Sequence, residues 1–533
     1  PPAFNRNNRY NDVGVYAMDS WKVMPRFTFN YGIRWEYYGP QHNVDQNLDS
    51  NFYLGTGATR FDQIRNGFVA TVPNSPIGSL WEAKYRNFAP RVGFAYDVFG
   101  DGKTSIRGGF GISYERNFGN VTFNVIQNPP NYAVLAIVNG VDVPAGTVPI
   151  TPNNTGPLSG TGSKALGAVS LRAVDQKIDP AYSEFWSLAA EREIARNTLL
   201  SIAYTGSKGV HLYDIANINR PGGGGVIEGD ALSGNRLLPQ YGDINFRGSN
   251  GFSNYNAVNI GLRSANIHNT GLQFSVNYTW AHAIDNLSST FSESFNNFNL
   301  GYLDAFNPAL DKGAADFDVR HRVAISGIWD VPFFKNSQNK IEKNVLGGWE
   351  FAPIFTARTG IPYSIYDCTN GNQVCLRWLP ATPISTSGSV TPVGPNTFDY
   401  IDMASAGSLT SSYANPIVGI SDWPTCTGLQ YQGCSFPAML GKDAWKGPNN
   451  WTFDLGIYKN FKVTERVGLQ FRGELYNIFN HHNYYVVDDA ADFSTATTIQ
   501  VKKGGAYPGA TNQLTQTGSD ERRFVQFALK VTF

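Results

Sequence analysis

The chain has 533 residues, with 42 Lys and Arg against 42 Asp and Glu. A net charge of zero argues against a nucleic-acid binder, which would track phosphates with a basic excess. Charged residues are 16% and aromatics 14%, a balance that excludes intrinsic disorder. No apolar run reaches the ~18 residues of a membrane helix, but a transmembrane β-barrel alternates polar with apolar residues and keeps its mean hydropathy low, as here at −0.27.

Taken in chain order, the dominant signal is alternation with period two. Phe27, Phe29, Tyr31, Ile33, Trp35 and Tyr37 share one face of a strand, and Thr28, Asn30, Gly32, Arg34 and Glu36 the other. Leu272, Phe274, Val276, Tyr278 and Trp280 oppose Gln273, Ser275, Asn277 and Thr279. Val467, Leu469, Phe471 and Leu475 oppose Gln470, Arg472 and Glu474. In the last strand Val525, Phe527, Leu529, Val531 and Phe533 are expected to face lipid, with Gln526, Lys530 and Thr532 facing a lumen.

About thirteen such strands are expected, beginning near Asp12, Phe27, Arg91, Thr104, Glu184, Thr198, Tyr255, Thr270, Arg320, Trp349, Asn450, Val467 and Phe524. They run about 10–13 residues, where soluble strands average about 5–6 and a tilted membrane strand needs about 9–11. The connections alternate between tight and long. Val23–Arg26, Gly100–Lys103, Ala195–Asn197, Ser264–Asn269 and Lys462–Arg466 are tight, and Pro332–Gly348 is intermediate. Gly39–Asn87, Phe118–Ala181, Lys208–Ser253, His282–Val319, Asp367–Pro448 and Asn480–Arg522 are long. Short turns at one rim and long external loops at the other are the pattern of an outer-membrane barrel. A soluble sandwich has no reason to sort its loops this way.

A final strand reached from an external loop ends in the periplasm. Counting back thirteen strands puts residue 1 outside, whereas a complete bacterial barrel has an even strand number and both ends inside. The expectation is therefore the C-terminal portion of a longer barrel, spanning 1–533. A second chain completing the sheet is the less favoured alternative, because an open edge in lipid strands backbone polar groups.

Four cysteines lie in the longest loop, as Cys368/Cys375 and Cys426/Cys434. Neither spacing suits a zinc knuckle or a thioredoxin motif, and disulfides in an oxidising compartment are the better reading. Three connectivities are open. Short spacing favours Cys368–Cys375 and Cys426–Cys434 within the loop.

Several stretches resemble TonB-dependent outer-membrane receptors of the Oar-like type, which carry a carboxypeptidase-regulatory-like domain. They are Tyr16-Ala-Met-Asp-Ser-Trp-Lys-Val23, Asn30-Tyr-Gly-Ile-Arg-Trp-Glu-Tyr37, Asn87-Phe-Ala-Pro-Arg-Val-Gly-Phe-Ala-Tyr-Asp97, Asp316-Phe-Asp-Val-Arg-His-Arg322, Gly348-Trp-Glu-Phe351, Gly360-Ile-Pro-Tyr363, Asn460-Phe-Lys-Val-Thr-Glu-Arg466 and Phe471-Arg-Gly-Glu-Leu-Tyr-Asn-Ile-Phe-Asn480. The resemblance implies a 22-stranded barrel in the bacterial outer membrane, of which about 13–14 strands are here. It also implies a plug and a TonB box in a further N-terminal part. Ending in Phe533 resembles the signal read by the barrel-assembly machinery.

Arg34, Glu36, Arg107, Glu115, Arg263, Arg322, Arg472 and Glu474 occupy polar faces and are expected to line the lumen. Either a ladder of ion pairs across neighbouring strands or contact with plug and substrate explains them. Asp304, Asp311, Asp316 and Asp318 gather before the strand near Arg320. Calcium needs converging oxygens, but no EF-hand spacing occurs, and pairing with Arg320 and Arg322 is the expectation. His481 and His482 are adjacent, point to opposite faces, and do not suit a shared metal. Gly222–Gly225 lacks the Lys-Ser/Thr of a phosphate loop, and neither Gly-x-Ser-x-Gly nor a zincin motif occurs.

No catalytic constellation, metal site or cofactor is expected. The expected function is an outer-membrane TonB-dependent receptor that binds a small or oligomeric nutrient, a carbohydrate, peptide or chelate, with its external loops. Expected partners are outer-membrane lipid, the TonB complex and the assembly machinery. A barrel-anchored surface adhesion or structural protein is the first rival, and a secreted β-rich carbohydrate-active protein the second.

Overall fold

The computed structural model describes residues 7–117, 119, 128–131, 169–219, 236–267, 270–289, 302, 305, 308–367, 376–377, 388–394, 397–402, 442–464, 466–486, 490–491, 498–503 and 522–533. Among them, thirteen consecutive antiparallel strands build one sheet: β1 Asp12–Met24, β2 Phe27–Tyr38, β3 Lys84–Asp97, β4 Thr104–Tyr114, β5 Tyr182–Ala195, β6 Thr198–Asn217, β7 Tyr241–Ser264, β8 Leu272–Asp285, β9 His321–Asp330, β10 Trp349–Arg358, β11 Asn450–Lys462, β12 Gly468–Tyr476 and β13 Phe524–Thr532. Each strand pairs with its neighbours in sequence, and β1 and β13 stand at the two ends of the order.

Tight turns join β1–β2, β3–β4, β5–β6, β7–β8 and β11–β12, and residues 331–348 join β9–β10 at the same rim. Their chemistry is local. Gly100 and Gly102 take φ of 76° and 73°, a left-handed backbone that residues with a side chain rarely adopt, and Asp97 accepts from both their N–H groups at 2.9 and 3.1 Å. The long connections all leave from the opposite rim.

Three strands run further than the sequence pattern implies. The strand expected near Arg91 begins at Lys84, and the one near Tyr255 begins at Tyr241. β6 and β7 are 20 and 24 residues long, so the connection expected over 208–253 shrinks to 218–240. Their outer parts pair without needing alternation, because loops cover both faces there. Bulges near Gly209, Leu212 and Asp214 absorb the change of direction. His211, at φ 55°, sits in that break.

Directly opposed residues of an antiparallel pair point the same way, so register carries a face across the sheet. One face is apolar along its whole width. Ile33 opposes Pro90, Val92 opposes Phe110, Phe110 opposes Trp186, Leu188 opposes Tyr204, and Ile202 opposes Ile260. Leu262 then opposes Val276, Val276 Ile325, Ile325 Phe355, and Phe355 Phe453. Leu455 opposes Leu475, and Phe471 opposes Leu529. These side chains are left open: Leu188 is 52% and Leu529 66% exposed. A surface of this extent is untenable in water and natural in lipid.

Aromatic rings gather at both ends of the band. At the long-loop rim Tyr37 stacks on Tyr85 at 5.0 Å, Tyr114 lies 5.1 Å from Tyr182, and Trp451 stacks on His481 at 4.0 Å. At the tight-turn rim Phe27 meets Phe94 and Trp329 meets Phe351, each at 6.1 Å. Lys459 falls on the apolar face at that rim, opposite Trp349. Its Nζ escapes by donating to the carbonyls of Val345 and Gly347.

Candidate functional site: the polar strand face and the loop cap

The second face carries the charges. Register runs from Arg34 opposite Ala89 and Gly32 opposite Arg91 to Ala95 opposite Arg107. It continues through Arg107 opposite Ala189, Glu191 opposite Ser201, Leu199 opposite Arg263 and Thr279 opposite Arg322. Tyr458 opposite Arg472 and Glu474 opposite Gln526 complete it. Seven of the eight residues proposed from sequence therefore share one face. Glu115 lies just beyond β4, where its N–H donates to Ala181 O at 2.8 Å. Gln526, Ala528, Lys530 and Thr532 share that face, while Val525, Phe527, Leu529 and Val531 share the apolar one. Phe533 follows the strand fully exposed.

The ion pairs differ in part from a cross-strand ladder. Arg34–Glu36 at 2.6 Å and Arg472–Glu474 at 3.1 Å join residues two apart on one strand. Same-face neighbours along a strand are close enough for a long Arg to reach. Arg107–Glu191, at 3.5 Å, is the cross-strand case. Arg322 opposes Arg358, two like charges. Between these charged sectors the face carries Ser187, Ser201, Thr205, Asn259, Asn277 and Thr279. Asn259 links them, donating to Thr205 Oγ1 at 3.3 Å and accepting from Thr279 Oγ1 at 2.9 Å.

Above the long-loop rim, three connections fold into a packed cap. A hairpin of Ser50–Tyr53 with Phe68–Thr71, a short helix α1 (Arg60–Arg65), and the strand Val169–Val174 lying parallel to β7 supply its elements. Thr59 and Asp62 form a capping box on α1. Phe52, Leu54, Ile64, Leu171, Ala173, Ile218, Leu238, Ile244 and Phe246 bury one core. Val72, Leu80, Trp81, Val174 and Ile178 bury a second.

Buried loops must satisfy their backbone groups without regular pairing. Fully buried asparagines do this. Asn51 donates to the carbonyls of Leu80 and Val174 at 3.2 and 2.8 Å and accepts from Val174 N at 2.9 Å. Asn128 donates to Ser50 O at 3.0 Å and accepts from Arg172 N at 2.9 Å. Asn219 clamps Leu238 and Gly242 similarly. Sequence reading missed this cap; its only trace was the abundance of Asn and apolar residues in segments called loops.

The acidic segment before β9 resolves into two arrangements. Asp304 lies outside the described residues. Asp318 accepts from Ala283 N at 2.8 Å and meets His282 at 3.2 Å and Arg320 at 3.6 Å. Asp316 instead faces Lys442, as do Asp285 and Asp443, at 3.4, 2.6 and 3.7 Å. The expected pairing thus holds for Asp318 with Arg320, but the main cation is Lys442. All four side chains of that cluster are buried. Burial would lower the Lys442 pKa, but the carboxylates of Asp316, Asp443 and Asp285 outweigh it and raise it. Burial, and then Asp316, push Asp443 well above the ordinary carboxylate range. Among the described residues no group of three His, Cys, Asp or Glu is arranged to hold a metal.

Lys442 ties down the foot of the longest loop. Pro362–Tyr363 pairs with Trp445–Lys446, and Ser364 exchanges two hydrogen bonds with Asp443 at 2.9 and 3.1 Å. The four cysteines and Gly222–Gly225 lie outside the described residues. His481 lies flat on Trp451, held by Asn477, which accepts from its N–H at 2.9 Å.

A sheet of long antiparallel strands with one apolar and one polar face, aromatic rims and sorted loops defines a transmembrane β-barrel wall. The sequence matches the family model described as outer membrane beta barrel domain over residues 1–526, and the chain belongs to that family. It is a protein of the bacterial outer membrane. No curated protein matches it. Among solved structures it is similar to the ferripyoverdine receptor of Pseudomonas aeruginosa, at 8% identity and TM-score 0.41, covering 98% of this chain and 39% of that one. The outer membrane transporter YddB of Escherichia coli matches at 9% and 0.44, covering 98% and 54%. The siderophore receptor PirA of Acinetobacter baumannii matches at 9% and 0.42, covering 98% and 46%. The chain thus spans about half or less of each of these proteins.

Proposed function

We propose that this chain is the C-terminal wall and external loop cap of a TonB-dependent receptor of the Oar-like type, importing a nutrient across the outer membrane. One observation carries the reading: a single apolar and a single polar face persist in register through thirteen strands, with every long connection at one rim. The polar face lines the lumen. Arg34, Arg107, Arg472 and their acids anchor whatever fills it, and the neutral Ser, Thr and Asn sector offers hydrogen bonds to a passing solute. The cap selects the ligand outside, and the work is transport rather than catalysis. Coupling to TonB comes from a further N-terminal part, and Phe533 guides assembly.

The test deletes the gene in its host and compares uptake of labelled oligosaccharides, peptides and ferric chelates, with and without an uncoupler. Energy-dependent loss of one class, restored by the full-length gene, supports the reading. Unchanged uptake of all three sinks it.

A further inference from the structure

The connection between β9 and β10 folds outward onto the apolar face of the wall. Its second half is one wide helical turn, α2 (Glu342–Leu346), closed by Gly347 N–H donating to Glu342 O at 3.0 Å. Two side chains of the apolar face hold it there. The Trp349 indole donates to Val345 O at 3.0 Å, and Lys459 donates to the carbonyls of Val345 and Gly347. Trp349 and Lys459 oppose one another on that face, so α2 lies on the outer flank of the wall and not beneath the lumen. A wide turn brings residues four and five apart to one side, which groups Ile341, Val345 and Leu346. All three are left open, at 73%, 58% and 48%. Glu342 is taken by Ser337 Oγ, which donates to it at 2.7 Å, and Lys335 pairs with Asp330. Lys340 and Lys343 remain as the exposed cations of the turn.

We propose that α2 is an interfacial foot that beds in the inner leaflet of the outer membrane and holds an anionic phospholipid there. Continuity argues for lipid. Trp349 and Phe351 of β10 and Ile457 and Phe461 of β11 carry the apolar band down to the rim, and Ile341, Val345 and Leu346 extend it past the last strand residue. Lys459 does not oppose this placement. It is buried, and its ammonium is satisfied by the two carbonyls and by the rings of Trp349 and Phe461 at 5.0 and 5.3 Å. A turn with an apolar side toward the acyl chains and lysines beside it has the build of an interfacial anchor. Charge argues for the headgroup. Residues 332–347 carry three lysines against one glutamate, a balance that favours an anionic phospholipid over a zwitterionic one. A partner protein is the less suited occupant, because it would have to reach Ile341 and Val345 on the flank of the wall, where the bilayer stands.

The inference rests on the apolar face lying in the bilayer, and the experiment separates the two. A photo-crosslinking benzophenone amino acid replaces Ile341 or, in a second variant, Ile325 in the middle of β9, in full-length protein irradiated in cells. Mass spectrometry identifies what each probe captures. A phospholipid adduct at both positions is the expected result. No lipid at Ile325 would overturn the bilayer placement itself. Lipid at Ile325 with only a protein adduct, a second copy of this chain or no adduct at Ile341 would overturn the foot alone. The headgroup is tested in nanodiscs of phosphatidylethanolamine and phosphatidylglycerol, with retained lipid read by native mass spectrometry. Phosphatidylglycerol should be retained preferentially. Lys340→Gln/Lys343→Gln should weaken that preference roughly thirtyfold, about fivefold for each lysine at an anionic surface. Lys340→Arg/Lys343→Arg should keep it. Heat-modifiable gel mobility confirms that each variant is folded. Equal retention of the two lipids, or an unchanged preference in the glutamine variant, would overturn the anionic headgroup.

Discussion

Replacing Lys442 with Met removes the cation at the foot of the longest loop while keeping most of the side chain's volume. Asp285, Asp316 and Asp443, all within 3.7 Å of Nζ, then share a buried site with no ammonium. Breaking a buried pair from one side costs about 3–5 kcal/mol. The strands below pair independently, so the cost should fall on local opening of the loop foot rather than on the sheet. At 1.4 kcal/mol per decade, amide exchange at Asp443 and Gly447, which donate to Ser364 Oγ and Ile361 O, should accelerate by roughly two to three and a half decades. Adding Asp285→Asn and Asp316→Asn should recover much of the protection. The pH dependence has a definite sign. The Asp443 pKa is raised in the folded state, so its contribution is complete below the ordinary carboxylate pKa and is lost as pH climbs through the raised value. Lys442, also raised, adds a loss in the same direction at alkaline pH. Exchange in wild type should therefore quicken with pH beyond the intrinsic base catalysis, and Asp443→Asn should flatten that excess. Unchanged exchange in Lys442→Met would refute the reasoning.

Four other outcomes are expected. Asn51→Ala orphans Val174 N and two carbonyls and should loosen the cap by about 2–4 kcal/mol, seen as protease cleavage near Leu80 with barrel mobility on gels retained. Phe527→Arg, on the apolar face against Phe471, should cost about 2–4 kcal/mol in urea titrations of vesicle-folded protein, whereas Lys530→Met, on the polar face, should cost far less. Deleting Phe533 should lower outer-membrane levels of full-length protein, and equal levels by immunoblot would remove its assembly role. Non-reducing peptide mapping should find Cys368 joined to Cys375 and Cys426 to Cys434, and crossed pairs would refute the local pairing.

Strand identity, strand number and face were written in the sequence because they are local. A side chain's face depends only on parity, so Phe29, Ile33 and Trp35 could be assigned without knowing any partner. Tight turns were equally legible, since Gly100 and Asp97 act within a few residues. The bilayer reinforces this legibility: it favours apolar residues at the lipid-facing positions of each strand, so most strands carry the signal by themselves.

What lies outside the bilayer obeys no such period, and there only the tertiary structure decided. Asn51 meets Val174 across 123 positions and Lys442 meets Asp285 across 157. No spacing rule links such residues, because their contacts arise from how the loops fold back on one another. The acids near Asp316 could be counted in the sequence, but their partner could not, since Lys442 is an ordinary lysine until burial leaves it alone among three carboxylates. The long arms of β6 and β7 escaped for the same reason: once loops cover both faces, alternation is no longer required, and the strand continues without announcing itself.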